Sequence, residues 1–393
     1  MMAALSNYHD WRPSHGQELL LQAALRQGQR ARQAWQEWSS SLDFWGLDYG
    51  SRRLLPLLYH NLRAEGIDHP LIAQFRKVYL DTWARNQVLF AKISPLLQSF
   101  HEAGIGTMVL KGASLIVRYY RDFGLRPMSD FDFLVPTQQV FEAIALLRRG
   151  KWEPQRKSSD RLLAAYVSTN NALHFSSPTK YDVDLHWHLL SECLGPDADQ
   201  DFWEGADRME INGVQTRCLN PADSLFHICI HGVHWNNMPP VRWVADAVMI
   251  LKNSAEIDWN RTAAQAEKRH LTLPLGDAFC YLVDQFDAPI PSDFLKDLSG
   301  FPVSRWELKE YKTWAHRPYA YVPSLWAYYP RIAEDTGRRP GLMGFVKYLQ
   351  DFWGLEHIWQ VPLSLGLRIL KKFPALAHAG WMSMKRFFGL PPD

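Results

Sequence analysis

Residues 111–135 read KGASLIVRYYRDFGLRPMSDFDFLV, and the last seven letters decide how the fold is interpreted. The alternation of polar and aromatic residues over 129–135 predicts a β-strand, with Asp130 and Asp132 on one face and two phenylalanines on the other. Aspartate is depleted in strands, and like charges close together on one strand face repel each other. Two aspartates at this spacing therefore indicate a site that binds something positively charged.

A second acidic strand is predicted further along the chain. In YDVDLHWHL, residues 181–189, apolar residues alternate with Asp182, Asp184 and two histidines. The strand candidate ALHFSS precedes it, and the residues PTK between the two are few enough for a hairpin. If this strand lies beside the first one, three or four carboxylates converge on one patch of sheet. Such a cluster is stabilised by hard cations such as Mg²⁺, which binds a few carboxylates together with substrate phosphates.

The turn before the first acidic strand has the features of a phosphate site. IGTMVL is a short strand candidate and ASLIVRYYRDF a helix candidate, so Gly112 and Ser114 lie in a strand-to-helix turn with free N–H groups. Any side chain at Gly112 is expected to obstruct the phosphates. Lys111 and Arg126 flank the site and can each reach a triphosphate; the alternative is a solvated charge or an ion pair with an aspartate.

Composition limits the class of protein. The 393 residues are 47% hydrophobic and 21% charged, which is ordinary for a globular chain. A net charge of +2 argues against a broad binding surface for duplex nucleic acid. The four widely spaced cysteines form no CxxC pair and are expected to be free thiols in a reducing compartment. No signal peptide or membrane-spanning run is recognised, so a cytoplasmic protein is predicted.

The periodicity predicts three parts and an α+β fold class. A helical lobe over 1–103 and another over 218–393 flank a small mixed-sheet α/β core over 104–217. In the core, TQQVFEAIALLRRG is predicted to be a helix with Thr137 as its N-cap.

Four segments together resemble a known family: LLPLLYHNL, VLKGASL, GLRPMSDFDFLV and VDLHWHL. They look like the largely uncharacterised nucleotidyltransferase family within the DNA polymerase beta-like superfamily. The resemblance implies that Asp130 and Asp132 hold two metal ions, Mg²⁺ or Mn²⁺. It implies that Asp184 holds the metal that activates the acceptor hydroxyl, and that Gly112 and Ser114 cradle the β- and γ-phosphates. Asp182 is interpreted as a turn-flanking residue satisfied by backbone N–H groups.

A histidine-rich helix follows the predicted core. His227, His231 and His234 share one helical face, and the favoured interpretation is hydrogen-bonded core or pocket histidines; a transition-metal site is the alternative. His231 is also a candidate for the acceptor pocket. One turn apart on the next helix, Arg242 and Asp246 are expected to form an intrahelical ion pair; the alternative is that both contact the substrate in the acceptor pocket.

Two C-terminal segments have unusual compositions. The aromatic run over 311–332 is expected to pack in a core, with an acceptor groove as the alternative. The tail over 365–393 is basic and apolar; an ordinary packed helix is expected, and weak contact with an anionic membrane surface is the alternative.

These features predict a nucleotidyltransferase that moves a nucleoside monophosphate, with AMP expected, from an NTP to a hydroxyl group. ATP is the expected donor, and the acceptor is a small molecule, a sugar or a peptide. Two other hypotheses stay open. One is a nucleotide-binding module without turnover, and the other is a peripheral membrane or assembly protein whose aspartates are structural.

Overall fold

The computed structural model describes residues 11–155, 159–234, 241–314 and 321–368. Its centre is a mixed sheet of seven strands in the order β3-β4-β5-β2-β1-β7-β6. The strands are β1 (Met108–Val109), β2 (Asp130–Leu134), β3 (Glu153–Pro154), β4 (Ala172–Ser176), β5 (Asp182–His186), β6 (Asp207–Ile211) and β7 (Val214–Cys218). The predicted α+β class with a mixed-sheet core is confirmed.

The two acidic strands are neighbours in this sheet. β2 and β5 run parallel, and their register places Asp130 opposite Asp182 and Asp132 opposite Asp184. β4 and β5 form the predicted antiparallel hairpin. Because side chains alternate between the two faces of a strand, all four aspartates project from the same face. The predicted convergence of carboxylates is therefore confirmed.

Helices surround the sheet. They are α1 (His15–Leu25), α2 (Gly28–Ser40), α3 (Tyr49–Arg52), α4 (Leu55–Ala64), α5 (Ile72–Glu102), α6 (Lys111–Leu115), α7 (Val140–Arg149), α8 (Asp160–Val167), α9 (Gln200–Glu204), α10 (Pro221–His234), α11 (Arg242–Asn253), α12 (Trp259–Lys268), α13 (Thr272–Phe286), α14 (Ser292–Gly300), α15 (Arg305–Trp314), α16 (Tyr321–Thr336) and α17 (Leu342–Trp353). A π-helical turn, Ile116–Tyr120, continues α6, and residues 360–368 are also helical.

The apolar face of the sheet holds the acidic strands in place. Phe131 and Phe133 are fully buried in a cluster to which α5 and α7 contribute. The ring of Phe133 meets that of Phe100 edge to face, with centroids 5.2 Å apart. Burying two phenylalanine side chains contributes several kcal/mol, about 1.5–3 each, and so fixes which face of β2 the aspartates occupy.

The N-terminal and C-terminal helices share a second hydrophobic core. It includes Leu21 of α1, Leu58 of α4, Ile230 of α10 and Val244 of α11. The Trp11 ring packs against that of Trp243 at a centroid distance of 5.5 Å. Residues from both predicted helical lobes are thus packed against each other beside the sheet. The division into three parts stays a prediction.

Two local features differ from the sequence-based expectation. The hairpin β6–β7 was not predicted, although Asn212-Gly213 at its tip is a turn signal; both residues have positive φ, 47° and 85°. The prediction of Thr137 as a helix N-cap is wrong. Residues Thr137–Gln139 form a 3₁₀ turn, and the Thr137 hydroxyl donates instead to the Trp187 carbonyl, 2.9 Å away.

Within the described residues, no helix has both the length and the apolar character needed to cross a membrane. All four cysteines are described, and all four are free thiols. The basic tail beyond residue 368 lies outside the described residues, so its predicted packing or membrane contact stays a prediction.

Candidate active site

The aspartates of β2 and β5 and the histidine that ends β5 form one compact group. Among the described residues, a ligand atom from each of Asp132, Asp184 and His186 lies within 4.8 Å of the other two. The parallel register of β2 and β5 produces this group, because it sets Asp132 directly beside Asp184 and Leu134 beside His186. Two carboxylates and an imidazole at this spacing are suited to a divalent cation.

Asp132 is the most deeply buried aspartate of the group. Its Oδ1 accepts a hydrogen bond from the Lys111 ammonium at 2.7 Å and lies 3.2 Å from His186 Nε2. Burial alone would raise the pKa of Asp132, but the charge of Lys111 and the hydrogen bonds outweigh burial and hold this pKa well below its usual range. Asp132 is therefore an anion at neutral pH.

The turn after β1 aims Lys111 at this carboxylate. The Leu110 N–H donates to the Asp132 carbonyl at 3.0 Å, which extends the β1–β2 pairing up to the turn. Lys111 then adopts a positive φ of 41°, an uncommon conformation for a residue with a side chain. Ser114 does not face the carboxylates: its hydroxyl donates to the Lys111 carbonyl at 3.0 Å and stabilises the turn.

Asp184 and Asp182 differ in their hydrogen bonds, although both lie near His174, whose Nε2 is 3.5 Å from Asp182 Oδ1. His174 of the neighbouring strand β4 lies opposite Asp184, with its Nδ1 2.7 Å from Asp184 Oδ1. Asp182 instead accepts a hydrogen bond from the Ser176 hydroxyl at 2.6 Å. The expected backbone N–H partners of Asp182 are thus replaced by a side-chain hydroxyl.

Asp130 lies one pleat away from Asp132 and forms no ion pair with a cationic side chain of the described residues. Its hydrogen bond comes from the Ser129 hydroxyl at 3.2 Å. Burial, followed by repulsion from Asp132 and Asp184, raises the pKa of Asp130 to about 6. Three carboxylates therefore lie in mutual electrostatic contact with one ammonium group, and this excess of negative charge fits a bound divalent cation.

A divalent metal ion is implied by this donor set. The residues present fit it, since Asp132, Asp184 and His186 supply the close ligand atoms and Asp130 supplies further negative charge. The predicted metal ligands Asp130, Asp132 and Asp184 thus lie together, with Asp130 outside the closest group. Their assignment as ligands stays a prediction.

Arg126 is held away from the carboxylates by a different partner. Its Nε and Nη2 donate to the two oxygens of Asp246 at 2.7 and 2.8 Å, and both side chains are buried. The Tyr120 hydroxyl donates to the same aspartate at 2.8 Å. The expected ion pair between Arg242 and Asp246 within α11 is therefore not formed, since Arg126 occupies both oxygens of the carboxylate.

Gly112 packs against this ion pair. A Cβ atom at Gly112 would lie 2.5 Å from Arg126 Nη1 and 3.1 Å from the Met128 side chain. The absence of a side chain at this position thus lets the turn rest on Arg126. The prediction that Gly112 contacts phosphates is not tested by this contact and stays a prediction.

A cavity of about 290 Å³ opens beside the carboxylates. Lys111 and His186, which both contact Asp132, line it together with His227 and His231 of α10. Burial, together with the nearby Lys111, lowers the pKa of His231 to about 3, so this imidazole is neutral. The interpretation of these two histidines as pocket residues agrees with this position, whereas the side chain of His234 lies outside the described residues.

The aromatic C-terminal run contributes both to the hydrophobic core and to the wall of the cavity. Tyr328 and Tyr329 are nearly fully buried, in agreement with core packing. Tyr328 also lines the cavity, together with Tyr348 and Phe352 of α17. Part of the run, 315–320, lies outside the described residues.

Sequence reasoning missed three contributors to the site. His186 shares the strand face of Asp184, so the alternation of β5 was a usable signal for it. His174 depends on the β4–β5 register, which the sequence does not specify. Tyr120 reaches Asp246 from a π-helical turn that no pattern in the sequence announces.

Comparison with known proteins agrees with this geometry. The sequence profile of the uncharacterised nucleotidyltransferase family matches residues 50–287, and the chain belongs to this family. The expected enzyme class, nucleotidyltransferase, is confirmed by that membership. No curated protein is significantly similar to the chain.

Among solved structures, the chain is similar to an antigenic nucleotidyltransferase-like protein from Paracoccidioides brasiliensis. The two share 17% identity with a TM-score of 0.35, and the match covers 53% of this chain and 92% of that protein.

Proposed function

We propose that the protein transfers a nucleoside monophosphate from an NTP to a hydroxyl group, with a divalent metal, Mg²⁺ or Mn²⁺, bound at Asp132 and Asp184. One observation carries this proposal: the parallel register of β2 and β5, which sets Asp132 beside Asp184 and brings both within 4.8 Å of His186. Asp130 adds a third carboxylate, whose unfavourable charge in the free protein a cation would neutralise.

The proposed reaction needs no reactant besides the NTP and the hydroxyl acceptor. The acceptor oxygen bonds to the α-phosphorus of the NTP, the bond from this phosphorus to the bridging oxygen breaks, and pyrophosphate leaves. The hydroxyl proton passes to Asp184, which is partly exposed and is oriented by His174 at 2.7 Å. A bound divalent ion would neutralise charge on the attacking and leaving oxygens.

Lys111 has two tasks in this proposal. Its ammonium lies 2.7 Å from Asp132 and keeps that carboxylate ionised and oriented before the metal binds. It also borders the cavity, where it would meet the phosphates of the nucleotide as a point charge. Gly112, Ser114 and Arg126 shape the turn that presents Lys111, and the first two are proposed to approach the phosphates through their backbone.

The cavity of about 290 Å³ is proposed as the acceptor pocket. Its wall combines neutral imidazoles, His227 and His231, with the aromatic rings of Tyr328 and Phe352. Such a lining suits a hydroxylated small molecule or sugar, which stacks on aromatic faces and hydrogen-bonds to uncharged polar groups. The same proposal takes ATP as the donor and AMP as the transferred group. It also places the protein in the cytoplasm, which is consistent with the free thiols.

The test follows pyrophosphate release by the full-length protein. Each NTP is supplied with Mg²⁺ or Mn²⁺, with and without a small-molecule cell extract as the source of acceptors. Release that depends on NTP, metal and extract supports the proposal. Saturable NTP binding without any release would instead indicate a nucleotide-binding module. If no NTP raises the thermal stability of the protein, the aspartates are structural, since a ligand at 100 times its Kd adds about 2.7 kcal/mol.

Two matched variants on β5 separate chemistry from binding. Asp184→Asn is expected to lower the rate of transfer by roughly 10²-fold or more, with NTP affinity changed by only a few-fold, because a positioned proton acceptor is lost. Asp182→Asn lies on the same face one pleat away and is expected to be nearly silent, since its hydrogen bond comes from the Ser176 hydroxyl and His174 lies farther from it, at 3.5 Å, than from Asp184. An inactive Asp182→Asn beside an active Asp184→Asn would contradict the assigned roles.

A further inference from the structure

A second, smaller pocket lies next to Lys111, on the side toward the helical core. Its volume is about 50 Å³, enough for a few water molecules or one tetrahedral anion. Arg53 after α3, Arg126 before β2, and Arg242 and Asp246 of α11 line it together with Lys111. We refer to it as the basic pocket.

Four cationic side chains face one carboxylate in the basic pocket. That carboxylate, Asp246, is already used, because both of its oxygens accept hydrogen bonds from Arg126. Lys111 is paired with Asp132 outside the pocket. Among the described residues, Arg53 and Arg242 are left as two guanidinium groups without a carboxylate partner.

The two remaining arginines are poorly satisfied by the described residues. Arg53 donates one Nη2 hydrogen bond to the Pro127 carbonyl at 3.2 Å, and its buried Nε has no partner. Arg242 makes no hydrogen bond or ion pair within the described residues, and the preceding stretch 235–240, WNNMPP, contains no acidic residue. Burial lowers the pKa of Arg242, with Asp246 and Tyr49 opposing this effect.

An arginine cannot relieve this situation by losing its proton, because its pKa in water is above 12. A largely buried guanidinium without an anionic partner is unfavourable, whereas one that binds a phosphate through two parallel N–H bonds is well satisfied. The basic pocket therefore has the charge and the donors for a multiply charged oxyanion.

The position of the basic pocket indicates which anion it takes. Lys111 and His231 border both this pocket and the larger cavity beside the carboxylates. A phosphate chain that starts at the carboxylate group can therefore continue past Lys111 toward Arg53 and Arg242. The same lysine contacts Asp132 of the carboxylate group and lines the pocket that holds the two arginines.

We propose that the basic pocket binds the terminal phosphate of the donor nucleotide, with Arg53 and Arg242 as its ligands. This inference rests on the proposed nucleotidyl transfer and extends it: the protein would select triphosphates over monophosphates through residues outside the sheet. It also assigns Arg242 to the donor, whereas the sequence placed it in the acceptor pocket.

The test compares the affinities of ATP, AMP and inorganic pyrophosphate for the full-length protein by calorimetry in Mg²⁺ buffer. Arg242→Gln and Arg53→Gln are each expected to weaken ATP and pyrophosphate binding about tenfold or more, with AMP affinity changed less than about twofold, because one charge-assisted phosphate contact is lost. Arg85→Gln, which removes an exposed arginine of α5, is the control and should change none of the three. Unchanged ATP affinity, or equal losses for ATP and AMP, overturns the inference.

The inference and the proposed function can fail separately. If the wild-type protein releases pyrophosphate but Arg242→Gln binds ATP normally, the function stands and the inference is wrong. If the wild-type protein binds no nucleotide, the proposed function fails, and so does the assignment to a nucleotide phosphate. In that case, stabilisation of the wild-type protein by inorganic phosphate, absent in Arg242→Gln, would assign the pocket to another phosphorylated molecule.

Discussion

Asp132 and Asp246 are both buried, and each is bound to a cationic side chain, but the two ion pairs have different surroundings. Asp246 has its two oxygens bound by the two nitrogens of one arginine and by Tyr120, and both side chains of the pair are 3% exposed. Lys111 and His186 both lie within hydrogen-bond distance of a single oxygen of Asp132, and the carboxylates of Asp130 and Asp184 are close to it.

The two ion pairs differ in whether the charges around them are balanced. The Arg126–Asp246 pair is neutral and hydrogen-bonded on both sides, so it anchors the turn at Gly112 to α11 without needing a ligand. The group around Asp132 keeps an excess of negative charge that the described residues do not neutralise. A buried excess of charge is unfavourable in the free protein, and a ligand of opposite charge relieves it.

The largest expected effect concerns the carboxylates around Asp132. Asp132→Asn should lower the rate of nucleotidyl transfer at least ~10³-fold, equivalent to about 4 kcal/mol, because a carboxylate that would bind the metal is lost. The fold should survive, since Lys111 keeps attractive contacts with Asp184 and Asp130. Pyrophosphate release and the far-UV circular dichroism spectrum check the two parts. Near-normal turnover by a folded Asp132→Asn protein would show that Asp132 is structural, like Asp246.

Loss of the Arg126–Asp246 ion pair is expected to lower stability. Asp246→Asn leaves Arg126 buried without a carboxylate, so the free energy of unfolding is expected to fall by about 3–5 kcal/mol in chemical denaturation. The double variant Arg126→Met with Asp246→Leu removes both charges and should recover most of this loss. A single variant that loses less than about 1 kcal/mol would mean that the pair is not a structural anchor.

Unlike the charge of Asp246, the charge of Asp130 is expected to destabilise the folded protein. Its pKa in the folded protein is raised from 3.8 to about 6, so the folded state keeps a proton that the unfolded state releases between these values. Stability should therefore fall as the pH rises from about 4 to about 6, by at most about 3 kcal/mol.

Asp130→Asn lacks this penalty. In buffer with a chelator, its melting temperature should exceed that of the wild-type protein at pH 7 and match it near pH 4. An equal difference at both pH values would mean that repulsion at Asp130 is not the cause. Added Mg²⁺ should stabilise the wild-type protein more than Asp130→Asn, because the ion neutralises the same charge.

Gly112→Ala should have the smallest effect of the set. Its new methyl group would meet Arg126 Nη1 and Met128, and the resulting displacement is expected to cost about 1–3 kcal/mol of unfolding free energy. If the turn also approaches phosphates, ATP affinity should fall further than stability. The matched comparison is Gly112→Ala in the Arg126→Met, Asp246→Leu background, where relief of the clash should restore stability but not ATP affinity.

Much of the site was predictable because it depends on local alternation. The period of two in β2 and β5 places Asp130 with Asp132 and Asp182 with Asp184, whatever the neighbouring strands are. The turn at Gly112 follows from a short strand that gives way to a helix. The partner of Arg126 was not predictable, since Asp246 is 120 residues away and lies on a helix whose own Arg242 offered a closer alternative.

Hydrophobic periodicity acts within a few residues, so the amino-acid sequence alone was enough to establish the α+β class, the two acidic strands and the apolar face of each. Which strands are neighbours, in which register, and that His186 and His174 lie beside the aspartates could be read only from the folded molecule. The same holds for the hydrogen bonds from Arg126 that saturate Asp246, whereas Arg53 and Arg242 have no carboxylate partner among the described residues. Such pairings depend on how distant segments bury their apolar faces together, and a local pattern carries no information about the partner that another segment presents.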